Sequence, residues 1–319
     1  MQPITIYYEH PEWFTGLFAR LDERGVPYRT AKPENKAFDA SRVRIGSTSL
    51  FVNRMSPSAA DRGLEYAIPY TQELLAHLEQ RGLPVFNGSR AFGHDISKAR
   101  QHDLLQSLGI ATPRTLVARC DSQLLTAAKH LDFPVLVKPN VGGTGAGITR
   151  FDTEDELRAA VYDGRMPSGA DGISLLQEYH SPQDGRITRV ETVGGKFLYA
   201  IQVEVAPGRG FNLCPADACR IIDGPELSTP EAGSHVIGLS VKRLNPPREK
   251  IAMVERIAAA ASLDAGGVEY LQSERDGLLY VYDINAMSNF VADPVRVLGF
   301  DPNDFLIDSF LTRVREKAA

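Results

Sequence analysis

Leu279–Asn289, LYVYDINAMSN, reads as a strand that ends in oxygen donors. Val281, Tyr282 and Ile284 favour extended backbone. Side chains two apart on a strand share a face, so Asp283 and Asn285 stand together, with Val281 before them. A carboxylate beside an amide oxygen suits a hard cation such as Mg²⁺. Upstream, Gly267–Leu271 (GVEYL) is a second strand-like run that carries Glu269, and Ser273–Gly277 (SERDG) reads as a turn. The two runs make a hairpin, and pairing them brings Glu269 opposite Asp283. The plain alternative is a hairpin whose solvent face is acidic, and this stretch alone does not choose between the two.

Three further features could serve the same chemistry. Pro134–Lys138 (PVLVK) is a buried-type strand that runs into PNVGGTGAG, with four glycines between 142 and 147. Backbone N–H groups of such a loop can come close to phosphate oxygens. A strand resumes at Ile148–Phe151, so the loop is a glycine-rich hairpin, and the P-loop pattern is absent. Lys138 followed by this hairpin points to a mobile lid over phosphates. Lys98 lies in the first turn of a helix, Ile96–Leu108, where a cation opposes the helix dipole. A residue set against local preference hints at function; a surface lysine is the plain alternative. Arg54 follows a short strand, Ser49–Asn53, at the end where α/β sheets bind ligands. It could clamp a carboxylate through two hydrogen bonds, or be a solvated loop charge.

These residues need a frame. Residues 1–95 alternate strand and helix: Ile4–Tyr8, helix Trp13–Arg24, Pro27–Thr30, Ser49–Asn53, helix Tyr70–Gln80, Pro84–Phe86. That alternation predicts a parallel sheet. Asp95 is the expected N-cap of the 96–108 helix. Beyond it come an extended Ile110–Arg119, helices Asp121–Leu131 and Glu154–Tyr162, and strand Ser174–Tyr179. A hairpin spans Thr188–Val205 and turns at Gly194-Gly195. Phe211–Cys219 is irregular, and helices Arg248–Ala261 and Phe305–Lys317 follow.

Composition narrows the class. The chain has 319 residues, 43% of them hydrophobic, which is enough for two or three cores. A formal net charge of -5 does not favour nucleic acid or an anionic membrane surface as the main partner. No run is long enough to span a bilayer, and the start lacks a secretory pattern, so cytoplasmic residence is the expectation. Three cysteines argue against a disulfide framework. Cys214 and Cys219 flank Pro-Ala-Asp-Ala, but no partner pair for a zinc site is near, so buried thiols are expected.

Read together, ISKARQHDLLQSLGIATPRT, FPVLVKPNVGGTGAGI, LLQEY, TRVETVGGKFLYAI, FNLC, GGVEY and YVYDIN resemble, in order and spacing, the ATP-grasp superfamily. The nearest branch is the RimK-like carboxylate–amine ligases, and the match runs from about Asn87 to Asn289. The resemblance implies an α/β fold (α+β toward the C-terminus) in three parts: an N-terminal substrate domain over 1–95, a central ATP-grasp subdomain over 96–179 and a C-terminal one over 180–319. It implies that Lys98 and Lys138 contact ATP phosphates and that Gly142, Gly143, Thr144, Gly145 and Gly147 form the lid. Gln177, Glu178 and Tyr179 become the adenine hinge, read through backbone groups and the Gln177 or Glu178 side chain. Glu269, Asp283 and Asn285 hold two Mg²⁺ ions, for which Mn²⁺ can substitute. Asn212 faces the triphosphate, and Arg189 lies near the transferring phosphate.

Some positions depart from the pattern. Ile187 stands where members often have a ribose-holding Asp, and Asp184 is the candidate substitute. Gly210 stands where an Arg is common, and Arg209 or Arg220 could supply its charge. NLCPADAC replaces a glycine-rich continuation, which points away from a ribosomal-protein tail as substrate. The implied reaction is ADP-forming amide synthesis from a small carboxylate and an amine, amino acids or a peptide. The alternatives are a kinase or carboxylate–thiol ligase on the same fold, and a silent nucleotide-binding module. Arg54, Lys138 and Arg189 are the expected catalytic residues. No nucleic acid or membrane partner is expected, and homo-oligomerisation is left open.

Overall fold

The structure, a computed structural model, describes residues 2–35, 37–41, 48–167, 169–205, 211 and 240–318. Three sheets carry the chain. The first uses β1 (Ile4–Tyr7), β2 (Tyr28–Ala31), β3 (Phe51–Asn53) and β4 (Val85–Phe86), with α1 (Thr15–Glu23) and α2 (Ala67–Gln80) between strands. All its pairings are parallel, in the order β2-β1-β3-β4. Every residue of β1 is buried, as expected of a strand in the middle of such a sheet.

Where one helix was expected over 96–108, there are two. α3 (Ser89–Asp95) ends at Asp95, and α4 (Lys98–Ser107) begins after a break at Ile96-Ser97. Ser97 is the N-cap, its Oγ accepting from the Arg100 N–H. Asp95 therefore caps nothing; it closes the last turn of α3, and its Oδ1 accepts from the Ala286 N–H at 2.8 Å.

The second sheet has β5 (Thr115–Ala118), β6 (Val135–Pro139), β7 (Thr149–Phe151) and β8 (Ser174–Glu178), all antiparallel, ordered β5-β8-β6-β7. Helices α5 (Asp121–Ala128) and α6 (Glu154–Tyr162) cover it, around a core that includes Leu124, Val137, Leu157 and Leu176. The third sheet joins β9 (Arg186–Val193), β10 (Lys196–Glu204), β11 (Val241–Leu244), β12 (Ala265–Gln272) and β13 (Leu279–Asn285) in the order β11-β10-β9-β12-β13. α7 (Arg248–Ala261), α8 (Pro294–Leu298) and α9 (Pro302–Ala318) complete the chain.

The third sheet is buried on both faces. One face carries Val190, Val268 and Ile284 into a core with Leu105 of α4 and Val254 and Ile257 of α7. The other carries Tyr199 and Ile201 into a core with Ile4, Ile6 and Val52 of the first sheet and Phe310 of α9. The packing thus ties α4 to the C-terminal sheet.

Candidate active site

The β12–β13 hairpin sets Glu269 opposite Asp283, the pair that was expected. A β-bulge follows, because Tyr270 pairs with Val281 and Tyr282 is the extra residue. The bulge breaks the simple alternation. Val281 turns into the core and is fully buried, while Tyr282, Asp283 and Asn285 all line one cavity. The expectation that Val281 shares the acidic face is corrected by that extra residue.

Across the same cavity stand Lys98, Lys138, Arg189 and the glycine hairpin. Lys98 Nζ donates to the Gly142 carbonyl at 3.1 Å and lies 3.9 Å from Asp283 Oδ1. Lys138, buried on β6, donates from Nζ to Gln177 Oε1 at 2.9 Å. Burial and the nearby Lys98 charge push the Lys138 ammonium down to about 8. Asn285 Nδ2 donates to Asp283 Oδ2 at 3.1 Å.

Arg189 is held from three sides. Its Nε donates to Glu191 Oε1 at 2.6 Å, one terminal nitrogen to Glu269 Oε1 at 2.7 Å, and the other to Ser288 Oγ at 3.1 Å. Burial works against the guanidinium charge, but the carboxylates of Glu191 and Glu269 outweigh it and hold its pKa above the ordinary value. Burial pushes the Glu269 carboxyl up, with Arg189 offsetting only part. Gly267 makes this clamp possible: a Cβ there would lie 2.9 Å from both Arg189 and Glu191. Sequence reasoning missed Glu191, Ser288 and Gly267, although Glu191 sits two residues from Arg189 on one strand face.

The oxygen donors fit a hard cation. Arg189 faces the two carboxylates of Glu191 and Glu269, Lys98 is the cation beside Asp283, and Asp283 Oδ1 is buried without a hydrogen-bond partner. Among the described residues no group of three or more His, Cys, Asp and Glu could hold a metal; the set here is two carboxylates and an amide.

The glycine hairpin closes the cavity. Gly142, Gly143, Thr144 and Gly145 line it. Gly142, Thr144, Gly145 and Gly147 have positive φ, and Gly143 packs so close to Ser58 that a Cβ would fall 3.1 Å from the serine Cβ. The N-terminal lobe adds Trp13, Ser56, Pro57 and Ser58 to the lining, none of which the sequence singled out.

Three expected roles meet a different geometry. Arg54 does not line the cavity. It is buried at 3% exposure, donates to the Ser288 carbonyl and lies over the Phe14 ring at 5.3 Å. It follows β3 as expected, but the 286–289 turn and Phe14 cover that strand end. Asp184 is exposed, sits at φ 59° and does not line the cavity either. Gln177, Glu178 and Tyr179 do line it, but the side chains expected to read adenine are engaged. Gln177 bridges Lys138 and Thr115, and Glu178 Oε1 accepts from the Asp132 N–H. The N–H groups of Glu178 and Tyr179 donate to Arg114 and Pro134 carbonyls. Asn212, Arg209, Gly210, Cys214, Cys219 and Arg220 lie outside the described residues.

This lobed arrangement, with a glycine hairpin over paired lysines and an acidic hairpin below, is the ATP-grasp fold. Solved structures share it across nearly the whole chain. D-cycloserine synthetase DcsG superposes with a TM-score of 0.67 at 16% identity, covering 98% of this chain and 99% of that one. A RimK domain protein ATP-grasp from Sphaerobacter thermophilus superposes at 0.64 and 16% identity, covering 96% and 99%. In sequence, the chain is 32% identical over 117 residues to a formate-dependent phosphoribosylglycinamide formyltransferase of Synechococcus elongatus, covering 36% of this chain and 30% of that one. It is 25% identical over 213 residues to a probable alpha-L-glutamate ligase of Pasteurella multocida, covering 67% and 60%. The chain thus spans less than two thirds of the length of these curated relatives. No protein-family profile matches it. Among the described residues, no helix is long and apolar enough to cross a membrane.

Proposed function

We propose that the protein is an ATP-dependent, ADP-forming ligase that joins a small carboxylic acid to an amine through an acylphosphate. One observation carries the reading: Lys98, Lys138 and Arg189 converge with Glu269, Asp283 and Asn285 on a single cavity beneath the glycine hairpin. Phosphoryl transfer asks a protein mainly for positioning and charge neutralisation, which this set supplies without a protein nucleophile. The names of the neighbours support the class, since they include a probable glutamate ligase and D-alanine–D-alanine ligases.

In this reading Lys98 and Lys138 bind the phosphates, and the amides of 142–147 cover them. Glu269, Asp283 and Asn285 would hold Mg²⁺, two ions in the fullest form with Mn²⁺ as a substitute, which would neutralise phosphate charge. Arg189, locked by Glu191 and Ser288, sits where charge builds on the transferring group. Closure of the hairpin onto Ser58 keeps water from the acylphosphate. The hinge offers backbone groups beyond Tyr179 to the adenine. Amino acids or a peptide are the substrate classes, and residues 1–95 set the choice. The functional division remains 1–95, 96–179 and 180–319, and residence is cytoplasmic, where ATP is supplied.

The test is a screen of the twenty amino acids, singly and in pairs, for ADP release with ATP and Mg²⁺. Release that needs both an acid and an amine supports the ligase. Release with an acid and a thiol, or a stable phosphorylated product without an amine, replaces it with the thiol-ligase or kinase reading.

A further inference from the structure

Among the described residues that line the cavity, three buried oxygens that can only accept have no hydrogen-bond partner: Asp95 Oδ2, Asn289 Oδ1 and Asp283 Oδ1. Asp283 belongs to the oxygen set just described. The other two have no role in it. Buried polar groups in folded proteins nearly always find partners, so an unpaired acceptor facing a cavity calls for a ligand that brings a donor.

Asp95 is the stronger of the two. It is 4% exposed, at the C-terminal end of α3, where a helix dipole disfavours a carboxylate. The Ala286 N–H holds its Oδ1 against the turn that follows β13, with the Met287 N–H beside the carboxylate, while Oδ2 makes no hydrogen bond and Asp95 lines the cavity. Asn289 lies on that same turn and makes no hydrogen bond among the described residues. Lys98, Asp283 and Arg54 are the charged groups around Asp95. Lys98 is directed to Gly142 and Asp283, and Arg54 to Ser288.

The chemistry of the reaction then selects the ligand. A triphosphate and a carboxylic acid present acceptors, which a carboxylate repels and which the lysines, Arg189 and the lid amides attract. An ammonium brings both donors and the positive charge that a buried carboxylate favours, and in the ligase reading the amine substrate carries one. Building on the ligase reading, we infer that Asp95 Oδ2 and Asn289 Oδ1 form the receptor for the ammonium of the amine substrate, an alkylammonium such as an amino acid or a peptide N-terminus. Asp95 then takes one proton from the ammonium. The freed nitrogen attacks the acylphosphate carbon, a C–N bond forms, and the C–O bond to phosphorus breaks. Phosphate leaves with the electron pair and the second proton, so charge and atoms balance.

The test compares two kinds of nucleophile. Hydroxylamine is uncharged at neutral pH and intercepts an acylphosphate without needing an ammonium receptor. Each of the twenty amino acids is supplied as the acid with ATP, Mg²⁺ and hydroxylamine, and any that supports ADP release is then paired with glycinamide, methylamine or a second amino acid. The ratio of the amide rate to the hydroxamate rate should fall at least tenfold in Asp95→Asn, with a raised KM for the ammonium-bearing amine, and severalfold in Asn289→Ala. An equal fall with both nucleophiles overturns the inference, because Asp95 then serves the metal, the acid or the fold. So does an unchanged ratio. Should Asp95→Asn fail to fold, Asn289→Ala decides by the same ratio. Wild-type protein that releases no ADP with any acid and hydroxylamine overturns the ligase reading itself, and the inference with it.

Discussion

Replacing Lys138 with methionine should make the nucleotide-free protein more stable while removing ATP binding. The argument starts from burial. Lys138 sits on β6 at 5% exposure, and burial with the Lys98 charge lowers its pKa from 10.5 to about 8. At pH 7 the ammonium is still charged, and a shift of this size corresponds to about 3 kcal/mol of destabilisation. Methionine keeps the apolar stem and deletes the charge. The loss of the bond to Gln177 offsets roughly 1–2 kcal/mol, so the net gain is about 1–2 kcal/mol. The pH dependence carries the sign. Between pH 8 and 10.5 the unfolded lysine holds its proton while the folded one has released it. Wild-type stability should therefore rise across that window, and the Lys138→Met variant should lack this component. Thermal melts of both proteins at pH 7 and pH 10, without nucleotide, measure it. The variant should melt a few degrees higher at pH 7, with the gap shrinking or reversing at pH 10. A variant that melts lower at pH 7, or a gap that does not change with pH, refutes the reasoning.

Other outcomes follow from the same site. Asp283→Asn and Glu269→Gln should each abolish ATP turnover with the fold retained by circular dichroism, since each keeps shape and removes a charge that a hard cation requires; wild-type turnover in both would sink the metal site. Glu191→Gln leaves buried Arg189 one carboxylate short, so it should cost about 2–4 kcal/mol in denaturant unfolding and lower kcat far more than ATP affinity. Unchanged unfolding would mean Glu191 does not anchor the guanidinium. Proteolysis near Thr144 should slow when an ATP analogue and Mg²⁺ are added, as bound phosphates hold the hairpin in its place against Ser58; equal cleavage with nucleotide shown bound counts against a lid.

Much of this was legible in local pattern. Strand–helix alternation over 1–95 pointed to a parallel sheet, and Ile4 and Ile6 on one face of β1 with Tyr7 on the other are all buried. The glycine hairpin was readable because positive φ at 142, 145 and 147 is open to glycine and costly for other residues. The Glu269–Asp283 hairpin was readable as two strand runs flanking a turn, but the bulge sets its register: counted back from Gln272 and Leu279 without it, Glu269 would face Tyr282. Apart from the bulge, these are properties of a few neighbouring residues, and sequence states them directly.

Tertiary structure decided what depends on distant segments meeting. Arg54 had the position of a substrate clamp, but the 286–289 turn, more than 230 positions on, supplies the Ser288 carbonyl that takes its guanidinium. Asp95 looked like a helix cap; the β13 turn makes it a cavity wall. The bulge at Tyr282 moved Val281 to the core, since one extra residue reverses every side chain beyond it. The clamp on Arg189 exists only because Gly267 of a neighbouring strand leaves room for it. Residue types and local spacing determined which groups could do chemistry; long-range packing alone determined which of them face the same space, because burial and contact are properties of the assembled chain.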